Sequence, residues 1–214
     1  MTGGAPRLRT AVRVGFRDGA LLVRFDGRDE GTVATLRRRD EPLWTEDVYE
    51  VFVTPLEPPT VYFEFEINPL GTLFDARVTS PELARVSMNV DVGWNLPGLR
   101  GRSRVRPHRW SATLTIPIAP MLESFPPLPP RGSAKGLPSP TECAGRDRRS
   151  RFSRSERPAG RGEGVSSRRG NPWRANFFRI DRGTADEFSA WSPTGREPPD
   201  FHEASRFGRL TLPG

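Results

Sequence analysis

The chain has 214 residues, enough for one sizeable core or for one domain plus a tail. Hydrophobic residues make up only 35%, and 21 Gly with 23 Pro imply many turns or an unstructured region. The net charge of +7 invites a nucleic-acid reading, but its location argues against one: the 11 basic and 4 acidic residues between Pro126 and Gly170 account for all of it, and the remaining 22 basic and 22 acidic residues cancel.

From the N-terminus, "AVRVGF" and "ALLVRFDG" are strand-like runs joined by "RDG", a hairpin signal. "VYEVFVTP" and "VYFEFEINP" are two further strands split by the turn-rich "LEPPT". "TLFDARVT", "RVSMNVDV", "RSRVRP" and "WSATLTIPI" continue the series, and "APMLES" is the one helical turn. Residues 126–170 then break the pattern. They are rich in Pro, Gly, Ser and Arg, carry one aromatic (Phe152), and show neither helical nor strand period. Such a stretch cannot bury enough apolar surface to fold alone, so it reads as a disordered insertion. It also fits an out-of-frame reading of a GC-rich gene. "WRANFFRID", "EFSAW" and "RFGRLTL" resume the strands. Many short strands with regular turns predict an all-β fold, an antiparallel β-sandwich or flattened barrel. Both flanks are needed for one core, so residues 1–125 and 171–214 are expected to form a single domain.

No apolar run approaches the ~18–20 residues that a membrane-crossing helix needs. The first residues lack the apolar segment of a signal peptide, so the chain as written is expected in the cytoplasm. A start further upstream would instead allow secretion or a periplasmic location. The single Cys143 excludes an intrachain disulfide.

Period-2 alternation assigns faces. Phe63, Phe65 and Ile67 share one face of their strand, with Tyr62, Glu64 and Glu66 on the other. Val48, Glu50 and Phe52 share a face, as do Arg174, Asn176, Phe178 and Ile180. Trp110 and Trp173 read as core, while Trp94 sits in a loop open to either role. The unusual feature is Glu50 inside "WTEDVYEVFV", behind Glu46 and Asp47, with Glu64 and Glu66 able to meet it on one side of a sheet. Buried acids are costly unless something satisfies them. Two answers stand open: an internal partner, Arg174 or Asn176, or a ligand.

Enzyme signals are weak. Glu64 and Glu66 are two apart on one strand and point the same way, so they do not flank a bond as a glycosidase pair would. The only histidines, His108 and His202, give no His-rich metal site or triad.

Five ordered stretches, "RRRDEPLWTEDVYEVFVTP", "YFEFEINPLGTLFDARV", "WSATLTIPI", "WRANFFRID" and "EFSAWSPTGREPPDFHEASRFGRLTL", resemble the carbohydrate-binding family 9-like domain, related to sugar-binding modules on bacterial xylanases. The resemblance covers about residues 10–122 and 172–212. It implies a β-sandwich of the immunoglobulin-like or DOMON-like kind that binds an oligosaccharide or polysaccharide without catalysis, in association with glycoside hydrolases and carbohydrate catabolism. Trp44 matches the first clamp aromatic, Phe201 the second, and Trp191 a tryptophan of the same closing loop. Glu50 matches a hydroxyl-binding glutamate. Glu64 and Glu66 stand where the xylanase modules use a basic and an amide side chain, a reversal of charge. Arg174 and Asn176 complete the expected polar set. The resemblance also raises a structural calcium, for which Asp18, Asp26 and Asp29 offer turn carboxylates. Two rival readings remain: a haem-binding DOMON-type domain, with His202, His108, Met1, Met88 and Met121 as axial candidates, and nucleic-acid or acidic-surface binding through the Arg-rich segment. The sequence leaves the oligomeric state open.

Overall fold

The computed structural model describes residues 3–125 and 172–211. The expected disordered insertion at 126–170 lies outside the described residues.

The described residues form two antiparallel sheets. The smaller has four strands in the order β1 (Thr10–Arg17), β2 (Ala20–Arg28), β8 (Arg109–Pro117), β7 (Arg100–Arg106). The larger has seven: β10 (Glu187–Ala190), β9 (Trp173–Asp181), β3 (Val48–Thr54), β4 (Val61–Ile67), β5 (Leu73–Thr79) and β6 (Asn89–Asp91), with β11 (Gly208–Leu210) also paired to β9. β9 therefore carries two short strands along one edge: β10 beside its C-terminal half and β11 beside its N-terminal half. The predicted helical turn is α1 (Ile118–Glu123). Of the expected strand in "RVSMNVDV", only β6 forms, after a 3₁₀ turn at Arg85–Ser87. No described helix is long and apolar enough to cross a membrane.

Alternation sorts the side chains as the pattern dictates. Leu21, Val23 and Phe25 of β2, with Trp110, Ala112, Leu114 and Ile116 of β8, meet Val51, Val53, Phe63, Phe65 and Phe177 of the large sheet in one core. Each Val, Leu, Ile or Phe among them, fully withdrawn from water, contributes ~1.5–3 kcal/mol. At its centre Tyr49 is sandwiched between Phe25 (ring centroids 4.6 Å apart) and Trp110 (3.7 Å). Gly27 makes this possible, since a Cβ there would come within 2.2 Å of the Tyr49 hydroxyl. Trp110, Trp173 and Trp94 all belong to this core, Trp94 by packing on Phe63.

The two outer faces differ. Among the described residues, no loop covers the outer face of the small sheet. Arg100, Arg102, Arg104 and Arg106 of β7 stand on it with Arg13, Arg24 and Arg109, and the one acid among them, Asp26, bridges the last three. The outer face of the large sheet is roofed by loops, which build a second apolar cluster from Leu43, Val48, Phe52, Tyr62, Phe74, Phe178, Phe201 and Phe207. Within that second layer lie Glu50, Glu64 and Glu66, buried with at most 5% exposure.

Candidate functional site

The register of the large sheet brings the three glutamates together. Glu50 sits opposite Glu66 across β3 and β4, and Phe52 sits opposite Glu64. All three side chains point outward from the sheet, and one carboxylate oxygen from each lies within 4.8 Å of the others. Glu50 Oε1 and both oxygens of Glu66 meet no donor from the rest of the fold, and a protonated Glu66 can donate only to the Glu64 carboxyl beside it. Burial drives the carboxyls of Glu50 and Glu66 well above the ordinary range, with mutual repulsion adding to the effect, and burial raises Glu64 to about 7.

The internal partners expected for Glu50 are engaged elsewhere. Arg174 Nε reaches Glu57 at 3.3 Å. The Asn176 amide donates to the Ser192 carbonyl at 2.9 Å, and its carbonyl accepts from the N–H groups of Ser192 (2.9 Å) and Phe177 (3.0 Å). Asn176 thus clasps the closing segment to β9, and neither residue reaches the carboxylates.

Above Glu50 and Glu64 opens a cleft of about 440 Å³ lined by Trp44, Phe74, Arg85, Met88, Arg182, Phe188, Phe201 and His202, among others. Trp44 rises from a 3₁₀ turn (Leu43–Thr45) whose Leu43 is buried beneath it. Its ring meets Phe74 edge-on at 5.3 Å and remains 42% exposed. Glu46 and Asp47 explain the acids at the mouth of β3. Glu46 accepts from the Thr35 N–H at 2.6 Å, and Asp47 accepts from the N–H groups of Val33 (2.8 Å) and Arg182 (2.6 Å). These bonds fold the long β2–β3 loop back so that Trp44 overhangs the strand bearing Glu50.

The opposite wall comes from the C-terminal loop. Phe201 stacks on Phe178 at 4.2 Å and is 8% exposed, so most of its surface is spent on the fold and it is a minor platform beside Trp44. His202 Nδ1 lies 2.8 Å from the Tyr62 hydroxyl, and its Nε2 lies 4.0 Å from Glu64. Burial lowers His202 to about 4, which keeps the ring neutral. His108 is at a hairpin apex, and Met121 is sealed in the inter-sheet core. Arg85 spans the cleft wall to Asp200 at 2.9 Å, and Arg182 pairs with Asp186 while lying 4.8 Å over the Phe188 ring. Sequence reasoning missed Arg85 and Arg182 and named His202 only as an axial haem candidate. They come from three separate loops, and no local periodicity marks them.

Trp191 does not join this site. Its N–H bonds to the Phe177 carbonyl at 2.9 Å, extending the β10–β9 ladder by one residue. Alternation then turns the ring away from the roofed face, onto Phe177 and Gly208, in a separate cleft of about 270 Å³. A Cβ on Gly208 would come within 2.2 Å of that ring. Nor do the expected calcium carboxylates converge. Asp18 is at the β1–β2 hairpin turn and pairs with Arg17, Asp26 is on the arginine face, and Asp29 is buried beyond the far end of β2 beside Arg179. Nine residues of strand, ~30 Å, separate the hairpin from Asp29. These three do not fit a shared ion.

No protein-family model matches the sequence, and no curated protein matches it significantly. Solved structures do match. A candidate carbohydrate-binding protein from Bacteroides uniformis ATCC 8492 shares 17% identity at a TM-score of 0.60, over 97% of this chain and 87% of that one. A carbohydrate-binding module of family 9 from Caldicellulosiruptor kristjanssonii, solved with cellotriose, shares 9% identity at a TM-score of 0.53, over 99% of this chain and 78% of that one. The same module solved with glucose matches equally well, at 0.53. At these identities the likeness concerns architecture, and on that ground the chain has the β-sandwich fold of the family 9 carbohydrate-binding modules.

Proposed function

We propose that the cleft over Glu50 and Glu64 binds a saccharide, and that the protein is a non-catalytic binding module serving carbohydrate breakdown. The carrying observation is the half-exposed Trp44 ring at the mouth of a cleft whose floor is acidic and whose walls hold Arg85 and Arg182. Sugars present C–H faces that stack on aromatic rings, and rims of hydroxyls that bond best to charged groups. Acceptors on the floor and guanidinium donors on the walls serve both polarities of a hydroxyl. The family 9 neighbours, solved with glucose and cellotriose, support the reading.

The test is calorimetric titration of the pure protein with glucose, cellotriose and soluble xylan, alongside Trp44→Ala. Loss of an aromatic platform removes ~1–3 kcal/mol, so the variant should bind roughly 5- to 150-fold more weakly while its melting curve stays in place. Undiminished binding by Trp44→Ala, or no binding of any of these sugars by the wild type, overturns the proposal.

A further inference from the structure

Three carboxylates packed under a cleft raise a question that saccharide binding does not answer. A sugar hydroxyl can satisfy Glu50 or Glu64, which line the cleft, but Glu66 lies wholly beneath them at 0% exposure, and the one side chain its carboxyl can bond to is another acid, Glu64. Whatever meets Glu66 must be small enough to pass between its neighbours. The nearby cations are already committed. Arg85 is paired with Asp200, Arg182 with Asp186 and Arg174 with Glu57. His202 is the remaining cleft residue near the carboxylates, and its ring is neutral.

We infer that Glu50, Glu64 and Glu66 form a divalent-cation site, of the calcium class, at the floor of the cleft. The donor set is all carboxylate oxygen, which suits a hard ion better than the metals that prefer nitrogen and sulfur. Calcium holds its ligands at ~2.3–2.6 Å, so two oxygens across it lie ~4.6–5.2 Å apart. The spread of the three glutamate oxygens, 4.8 Å at most, fits that span. Three side chains of two oxygens each fall short of the ~6–8 ligands calcium takes unless several bind in bidentate fashion. The open positions face the cleft, where water or vicinal hydroxyls of a saccharide would complete the shell. That last clause alone rests on the proposed function; the ion site itself does not.

The experiment uses the full chain, stripped with EDTA and titrated calorimetrically with calcium, magnesium and manganese chlorides in the absence of sugar, with melting temperature as a second readout. One calcium per chain is expected, with a melting temperature that rises on its addition. Glu66→Gln and Glu50→Gln should each weaken calcium at least tenfold, and their metal-free melting points should equal or exceed the wild type's, since repulsion has been relieved. Glu64→Gln replaces either variant that fails to fold. Asp26→Asn should bind calcium as the wild type does. Three results overturn the inference: no ion binding at millimolar calcium, calcium binding that survives Glu66→Gln, or a metal-indifferent site that instead takes up ethylammonium in a Glu66-dependent way. Saccharide failure with intact calcium binding would sink the proposed function and leave this inference standing.

Discussion

The described residues hold two clusters of three buried acids, and each cluster brings its carboxylate oxygens within 4.8 Å of one another. Asp29, Asp47 and Asp181, at one end of the sandwich, are fully provided for. The Arg179 guanidinium binds Asp181 and reaches Asp29 at 3.4 Å. Thr32 donates to Asp29 at 2.6 Å, and backbone N–H groups of Val33, Arg182 and Gly183 serve the other two. Glu50, Glu64 and Glu66 occupy an equally buried place, but among the described residues no cation pairs with them: Arg85, whose charge reaches Glu64, is bonded to Asp200. The difference separates scaffold from site. Where the chain supplies its own donors, the acids tie loops together; where it supplies none, the cost of burial has to be met from outside.

The comparison can be broken most easily at Arg179. Arg179→Met would leave Asp29 and Asp181 charged and buried, and should cost ~3–5 kcal/mol in urea denaturation. A loss under ~1 kcal/mol would mean that the two clusters are not different in kind. Asn176 comes next. It shares the outer face of the large sheet with the glutamates but is satisfied three times over, so Asn176→Ala should cost ~2–3 kcal/mol at roughly 1 kcal/mol per bond and expose the 192–207 segment to limited proteolysis. The smallest change in folding stability is expected from Glu50→Gln, within ~1 kcal/mol of the wild type in either direction. A drop of several kcal/mol there would reveal an internal partner and return Glu50 to the scaffold.

Much of this arrangement was legible in the sequence. In "VYFEFEI" and "VYEVFV", a strict period of two sends every aromatic of one set to the inter-sheet core and every glutamate to the far side, because a strand offers no other choice. What covers that far side was not legible. The cleft is roofed by loops held with hydrogen bonds to Glu46, Asp47 and Asn176 and by 3₁₀ turns at 43–45 and 204–206, none of which has a repeat to read. Trp191 shows the cost of matching by position: one extra ladder bond beyond β10 was enough to place its ring on the other side of the sheet. Composition misled in a different way. Basic and acidic residues outside 126–170 cancel in number, yet alternation along β7 sends all four of its arginines to one face.

That arginine face has a consequence for how the molecule sits on other things. It lies on the outer side of the small sheet, and the cleft lies on the outer side of the large one, so the two look in opposite directions across the thickness of the sandwich. Clustered guanidinium groups attract an anionic support. On a phosphocellulose bead, an anionic vesicle or an acidic cell-wall polymer, contact through these arginines would leave Trp44 turned toward the solvent. Adsorption would then hold the domain in place without obstructing the cleft.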